Sequence, residues 1–242
     1  FIAAVASLFP PRPAVVWHDH YGEYAMMERP ACLYRLVAGR VNGVIAANQQ
    51  LAEWSRRRLG IPAERVWYIP NFVCVGEMNG KPPALPGTAG RRIVCVANFR
   101  AQKDHLTLLR AMALVIRQAP AAHLLLVGAS SDLTYLDLIR KEIVQQGLDK
   151  NVSMLGQRLD VSSILHGCDI GVLSSASEGL PLALLEYGVA GLPAVATNVG
   201  QCAEVLDEGR AGMLVPPCSP DQLAEALLSL LQSPERRLAL GE

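Results

Sequence analysis

The sequence predicts an α/β protein built from doubly wound parallel sheets. Three observations lead there. Short apolar runs bounded by Gly, Pro, Asn or Asp recur along the chain, as for strands buried on both faces of a parallel sheet. Stretches with apolar residues at helical spacing lie between them. From residue 91 onward the two kinds alternate closely, which is the pattern of repeated strand–helix–strand units.

Taken in order, residues 1–10 read as the end of a helix broken by Pro10-Pro11. Ala14 to His18 reads as a buried strand, with a polar tip at Asp19-His20-Tyr21-Gly22. A helix is predicted over Ala31 to Arg40 and a strand over Gly43 to Ala47. Asn48 then caps a helix that carries Leu51, Trp54 and Leu59 on one face. Arg56, Arg57 and Arg58 in that helix are consecutive and so point around it, as solvated charges do. A further strand, Arg65 to Ile69, ends at Pro70-Asn71. From Val73 to Gly90 the composition turns to Gly, Pro and small polar residues without periodicity, the signature of a linker. This gives a first domain over residues 1–72, a linker over 73–90 and a second domain over 91–242.

In the second domain, strands are predicted at Ile93 to Ala97, Leu124 to Val127, Val152 to Leu155, Ile170 to Leu173, Ala194 to Ala196 and Met213 to Val215. Helices begin near Asp104, near Leu133, at Asp160, at the Gly179–Pro181 turn and at Ser219, where Ser219-Pro220-Asp221-Gln222 has the form of a capping box.

Composition narrows the classes of function. The chain has 242 residues, 51% hydrophobic, with 22 Lys+Arg against 22 Asp+Glu. That balance points away from a nucleic-acid binder and from a disordered tail. Cys32, Cys74, Cys95, Cys168, Cys202 and Cys218 form no Cys-x-x-Cys, and several sit in apolar runs, so buried thiols in a reducing compartment are expected. No metal-binding spacing and no Gly-x-Ser-x-Gly is present. The run Gly179 to Thr197 holds one charge, Glu186. Its Gly-Leu-Pro at each end argues for a buried helix feeding a buried strand rather than a membrane span. Phe1 to Pro10 lacks the basic start of a signal peptide. Because residue 1 is not Met and Arg237 to Glu242 stops as though inside a helix, the sequence is expected to begin and end within a longer protein.

The richest stretch is Ser174-Ser175-Ala176-Ser177-Glu178-Gly179-Leu180-Pro181, running into an apolar helix that carries Glu186. A helix start presents unpaired N–H groups and positive dipole, and glycine admits a ligand close to the backbone, so a phosphate fits here. Glu178 and Glu186 bracket that seat, with Glu186 expected about two turns into the helix. Each carboxylate can accept two hydroxyl hydrogen bonds at once, as vicinal diols require. Ordinary complementation of a helix dipole would also place a Glu here. Glu186, however, is the sole charge in a long apolar run, which implies partial burial and a dedicated partner. A second cluster follows the first strand of the second domain: Asn98-Phe99-Arg100-Ala101-Gln102-Lys103-Asp104-His105. Two cations there could neutralise a diphosphate. His18 and His20 stand at another carboxyl strand end, where ligands gather in parallel sheets.

The Ser-x-x-Glu-Gly-x-Pro motif with a second Glu eight positions after the first resembles the donor-site signature of the retaining nucleotide-sugar glycosyltransferases, group 1 (family 4), which have the two-domain GT-B fold. The resemblance extends through Ala194 to Gly200 and spans the chain from about Val15 to Leu231. It implies two Rossmann-like domains, the N-terminal one incomplete here, since the Gly-rich loop that relatives carry upstream is absent from this sequence. It also implies transfer of a hexosyl group from a nucleotide-diphosphate sugar to an acceptor hydroxyl, in glycan, glycolipid or cell-surface polysaccharide synthesis, with no cofactor and no metal.

By the same resemblance, Glu178 would contact the donor sugar, Glu186 the ribose, and the Gly179, Leu180 and Pro181 turn the diphosphate. Arg100 and Lys103 would face the phosphates, although Asn98 occupies the usual Arg position. Gly128 would let a nucleotide approach or simply make a turn, and Arg158 lies in the stretch that packs on the base. His18, with His20 close behind, would lie near donor sugar and acceptor. Tyr187 stands where relatives usually carry a small residue. The partners implied are a nucleotide sugar and a glycan or lipid-linked acceptor, in the cytoplasm or at the inner face of a membrane with peripheral contact. A GT-B epimerase or phosphorylase and a non-catalytic nucleotide-sugar binding module are the alternatives.

Overall fold

The computed structural model describes residues 2–20, 31–73, 83–130 and 132–241. Tyr21 and Gly22 of the polar tip, Cys74 and residues 75–82 of the linker stretch lie outside the described residues. The chain divides into two compact units, residues 1–72 with 178–180, and residues 73–177 with 181–242.

The first unit contains α1 (Ile2–Ala6), β1 (Val15–Asp19), α2 (Cys32–Ala38), β2 (Val41–Ala46), α3 (Gln49–Leu59) and β3 (Val66–Tyr68). The strands form a parallel sheet in the order β1-β2-β3. Asn48 caps α3 as expected, its Oδ1 accepting from the Leu51 N–H at 2.8 Å, and Gly60 closes the helix in the left-handed conformation. Val44, Ala46, Leu51, Ala52, Leu59 and Val66 build the core. Beside it Trp17 stacks on Tyr34 at 5.4 Å, and Trp54 meets both rings edge-on. Of the three consecutive arginines, Arg56 donates to the Val66 carbonyl and Arg57 pairs with Glu53.

The second unit runs β4 (Arg92–Val96), α4 (His105–Gln118), β5 (His123–Val127), α5 (Leu133–Gln145), β6 (Val152–Gly156), α6 (Val161–Leu165), β7 (Ile170–Leu173), α7 (Leu182–Val189), β8 (Ala194–Thr197), α8 (Cys202–Val205), β9 (Met213–Val215), α9 (Pro220–Gln232) and α10 (Pro234–Gly241). Its six strands are all parallel, in the order β6-β5-β4-β7-β8-β9. Alternate strand residues face opposite ways: Ile93 and Cys95 pack with α4, α5 and α9, while Val94, Leu125 and Val127 pack with α6, α7 and α8. Burial on both faces explains why these strands read as continuous apolar runs. Each fully buried Leu in them contributes about 2 kcal/mol of transfer free energy.

Two local expectations are corrected. Ser219 does not cap α9: its hydroxyl donates to the Pro217 carbonyl at 3.2 Å, and Pro220 occupies the first turn. Among the described cysteines only Cys95 and Cys202 are buried, with Cys168 intermediate and Cys32 and Cys218 exposed.

Candidate functional site

Chain order reverses between β4 and β7. The chain moves from β4 outward through β5 to β6, then returns to the other side of β4 and continues through β7, β8 and β9. At such a switch point the loops leaving the two central strands part in opposite directions, and the crevice outside their carboxyl ends is where ligands bind in open α/β sheets.

A tyrosine shapes this split. β4 and β7 pair at Ile93 with Ile170 and at Val94 with Gly171, and not beyond. The hydroxyl of Tyr187, a residue of α7 with no exposed surface, enters the gap. It accepts from the Val96 N–H at 2.9 Å and lies 3.2 Å from the Val172 carbonyl, to which it can donate. Burial drives its pKa well above the ordinary value, so the phenol stays neutral. Room for the ring comes from Gly171, where any Cβ would overlap it. The bulky side chain noted at position 187 is thus accommodated by a glycine on the facing strand.

Above the split lies a cleft of about 360 Å³ lined by residues that include Asn98, Lys103, Gly128, Gln157, Arg158 and Glu186. Lys103 ends a 3-10 turn, Ala101–Lys103, after β4. Asp104 follows with φ 44° and caps α4, its carboxylate accepting from the Thr107 N–H and hydroxyl. Glu186 lies just over one turn into α7 rather than two, because the helix begins only at Leu182, with Pro181 at its N-cap. Burial raises the Glu186 pKa above the usual carboxylate value. Gly128 follows β5, and a Cβ there would overlap the Ala97 carbonyl, so close backbone packing at the cleft floor requires glycine.

Not every expected residue lines this cleft. Arg100 is exposed and outside the lining, because its extended backbone (φ −137°, ψ 148°) precedes the 3-10 turn that carries Lys103 inward. Arg158 does line it, but Asp160 holds its guanidinium in a two-pronged pair at 2.7 and 2.6 Å, so its charge is already matched. Glu178, buried at 7% exposure, precedes Gly179, Leu180 and Pro181 in the loop from β7 to α7. His18 and His20 lie at the end of β1 in the first unit, with Nδ1 of His18 and Nε2 of His20 3.0 Å apart.

Two polar residues not assigned as ligands from the sequence also line the cleft. Asn98 accepts from the Ala129 N–H through Oδ1, joining the loops after β4 and β5, and Gln157 borders the same opening. Beneath the Lys103 turn, His105 is completely buried between Phe99 and Tyr135. Burial, then the positive charge of Lys103, lowers its pKa from 6.5 to about 4. Among the described residues, no group of three or more His, Cys, Asp or Glu could hold a metal ion, and no helix is long and apolar enough to cross a membrane.

Comparison with known proteins places this geometry in a family. The family described as "Glycosyl transferases group 1" matches residues 90–233. The chain is 28% identical over 256 residues to an exopolysaccharide phosphotransferase of Streptomyces coelicolor, covering 100% of this chain and 25% of that protein. It is 26% identical over 196 residues to a GDP-mannose-dependent alpha-(1-6)-phosphatidylinositol monomannoside mannosyltransferase of Mycobacterium tuberculosis, covering 74% of this chain and 50% of that one. The chain therefore spans between a quarter and a half of the length of these relatives. Among solved structures, HepE of Anabaena in complex with UDP and glucose matches with a TM-score of 0.84 at 21% identity, over 100% of this chain and 68% of that one. Sucrose-phosphate synthase of Thermosynechococcus elongatus matches at 0.75 with 23% identity, over 94% and 61%. At these identities the likeness establishes the fold, which is GT-B. The family match covers the whole six-stranded sheet, the cleft and both loops that border it, and the chain belongs to the group 1 glycosyl transferases.

Proposed function

We propose that the protein moves a hexosyl group from a nucleotide-diphosphate sugar to a hydroxyl of a glycan or lipid-linked acceptor, with retention at the anomeric carbon. The reading rests on one observation: a cation, Lys103, and a partly buried carboxylate, Glu186, line the same cleft at the switch point of a group 1 glycosyl transferase sheet. The ammonium suits a diphosphate, and the carboxylate suits the two hydroxyls of a ribose. Donation of UDP- or GDP-linked sugars accords with the UDP bound by HepE and the GDP-mannose named for the mycobacterial relative.

In this reading Glu178 contacts the donor sugar, and the Gly179–Pro181 turn at the start of α7 contributes amides and positive dipole to the phosphates. Arg100 reinforces Lys103 from outside the cleft, Gly128 admits the nucleotide, and Arg158 borders the base. His18 and His20 are assigned to donor sugar and acceptor. The bond from the anomeric carbon to the phosphate oxygen breaks, and its electron pair leaves with the nucleoside diphosphate. The acceptor oxygen bonds to the same carbon, and its proton passes to the leaving phosphate. Phosphate charge is met by Lys103 and the helix dipole, without a metal. The proposed setting is polysaccharide or glycolipid synthesis in the cytoplasm, at the inner face of a membrane.

A second reading is a nucleotide-sugar binding module within a larger enzyme, drawn from the match of the whole chain to a quarter of the exopolysaccharide phosphotransferase. Turnover of UDP- and GDP-hexoses by the intact protein, assayed with a panel of glycan and polyprenyl acceptors, separates the two. Sugar transfer supports the enzyme; tight donor binding without transfer to any acceptor supports the module.

A further inference from the structure

We infer that Gln102 is a positioning residue that fixes Lys103 relative to the loop entering α7, so that both sides of the cleft meet a diphosphate as one body. The inference rests on the donor reading above. It starts from three hydrogen bonds between segments more than seventy positions apart. The Gln102 carbonyl accepts from the Ala176 N–H at 2.8 Å. The Gln102 side-chain amide donates to the Ser177 carbonyl at 2.8 Å. The buried Ser174 hydroxyl donates to the carbonyl of Lys103 itself at 3.0 Å.

The same loop is held from its other side, where the Thr197 hydroxyl at the end of β8 donates to the Ser175 carbonyl at 2.6 Å. The loops after β4 and β7 part at the switch point, and strand pairing between β4 and β7 stops below them. These side-chain and main-chain bonds continue the link that the strands give up. Their consequence lies in the cleft. Lys103 is a point charge on a flexible stem, and the place of its backbone decides where its ammonium can reach. Glu186 is carried by the helix that the second loop feeds. Fixing one loop to the other therefore sets the spacing between the phosphate-facing cation and the carboxylate.

Glutamine suits the task chemically. Its amide N–H donates to a carbonyl, whereas a Glu would oppose that carbonyl with its own charge and an Asn would be one methylene shorter. Methionine keeps the length and neutrality of the side chain and removes the amide that donates to Ser177.

The test uses the intact protein as wild type, Gln102→Met and Ser174→Ala, with two readouts. Amide hydrogen exchange is followed over residues 101–104 and 174–177, and affinity is measured for UDP and GDP against UMP and GMP. In both variants exchange should rise in both segments together. Affinity for the diphosphate should fall about fivefold, the worth of one hydrogen bond, and affinity for the monophosphate less than twofold. Unchanged exchange in Gln102→Met, or an equal loss for diphosphate and monophosphate, overturns the inference. If the wild type binds none of the four nucleotides, the donor reading fails, while exchange still decides whether Gln102 couples the loops.

Discussion

Replacing Tyr187 with Phe tests the wedge at the switch point. The change keeps the ring and its packing against Gly171 and removes one oxygen that accepts from Val96 N–H at 2.9 Å and faces the Val172 carbonyl at 3.2 Å. Because the ring stays buried, the hydrophobic contribution is unchanged and the loss is electrostatic. A buried N–H left without an acceptor costs about 1–3 kcal/mol, so a loss of about 2 kcal/mol is expected. In a protein of this size that lowers the melting temperature by about 4–8 °C. The assay is urea unfolding followed by circular dichroism, with thermal melts alongside. Gly171→Ala, which forces a methyl into the ring, should cost about 1–3 kcal/mol by overpacking. The two substitutions should be non-additive, because the residues touch. A Tyr187→Phe protein within about 0.5 kcal/mol of wild type would refute the claim that this hydroxyl satisfies the open end of β4.

Glu186→Gln should raise stability at neutral pH while weakening UDP or GDP affinity about tenfold. Burial raises the folded pKa, so the ionised form disfavours folding and the stability difference should vanish below the unfolded pKa; equal stability at pH 7 would contradict this. His105 has the opposite consequence. With its pKa near 4 when folded and 6.5 when unfolded, the unfolded chain binds more protons between those values, so about 3 kcal/mol of stability should be lost as pH falls from 6.5 to 4. His105→Gln should flatten that slope in urea titrations, and a slope matching wild type would contradict the burial argument. Lys103→Met should reduce diphosphate affinity at least tenfold and weaken its dependence on salt, while added EDTA leaves wild-type binding unchanged. Calorimetric titration at two salt concentrations reads both, and loss of binding in EDTA would speak for a metal.

Much of the second unit could be read from sequence because both faces of its sheet are covered. Ile93, Val94, Leu124, Leu125 and Leu126 are all buried, and a strand that is apolar at every position between turn residues has few other interpretations. The loops after β4 and β7 were legible too, since helix starts and charged residues at strand ends have local signatures. What escaped was set by partners distant in sequence. Nothing near Gly171 announces that it makes room for Tyr187, and nothing near Gln102 announces Ser177, 75 positions away. Arg158 reads as an available cation until Asp160, two positions on, is seen to fold back onto it. Ser219 shows the limit of a local motif: the capping pattern is present, but its hydroxyl turns to Pro217.

The position of a bound nucleotide is the most direct test of the cleft. A crystal structure of the protein with UDP or GDP should place the diphosphate within hydrogen-bond reach of Lys103 and the ribose hydroxyls on Glu186, outside the carboxyl ends of β4 and β7. A nucleotide bound elsewhere, with Lys103 and Glu186 untouched, would contradict it.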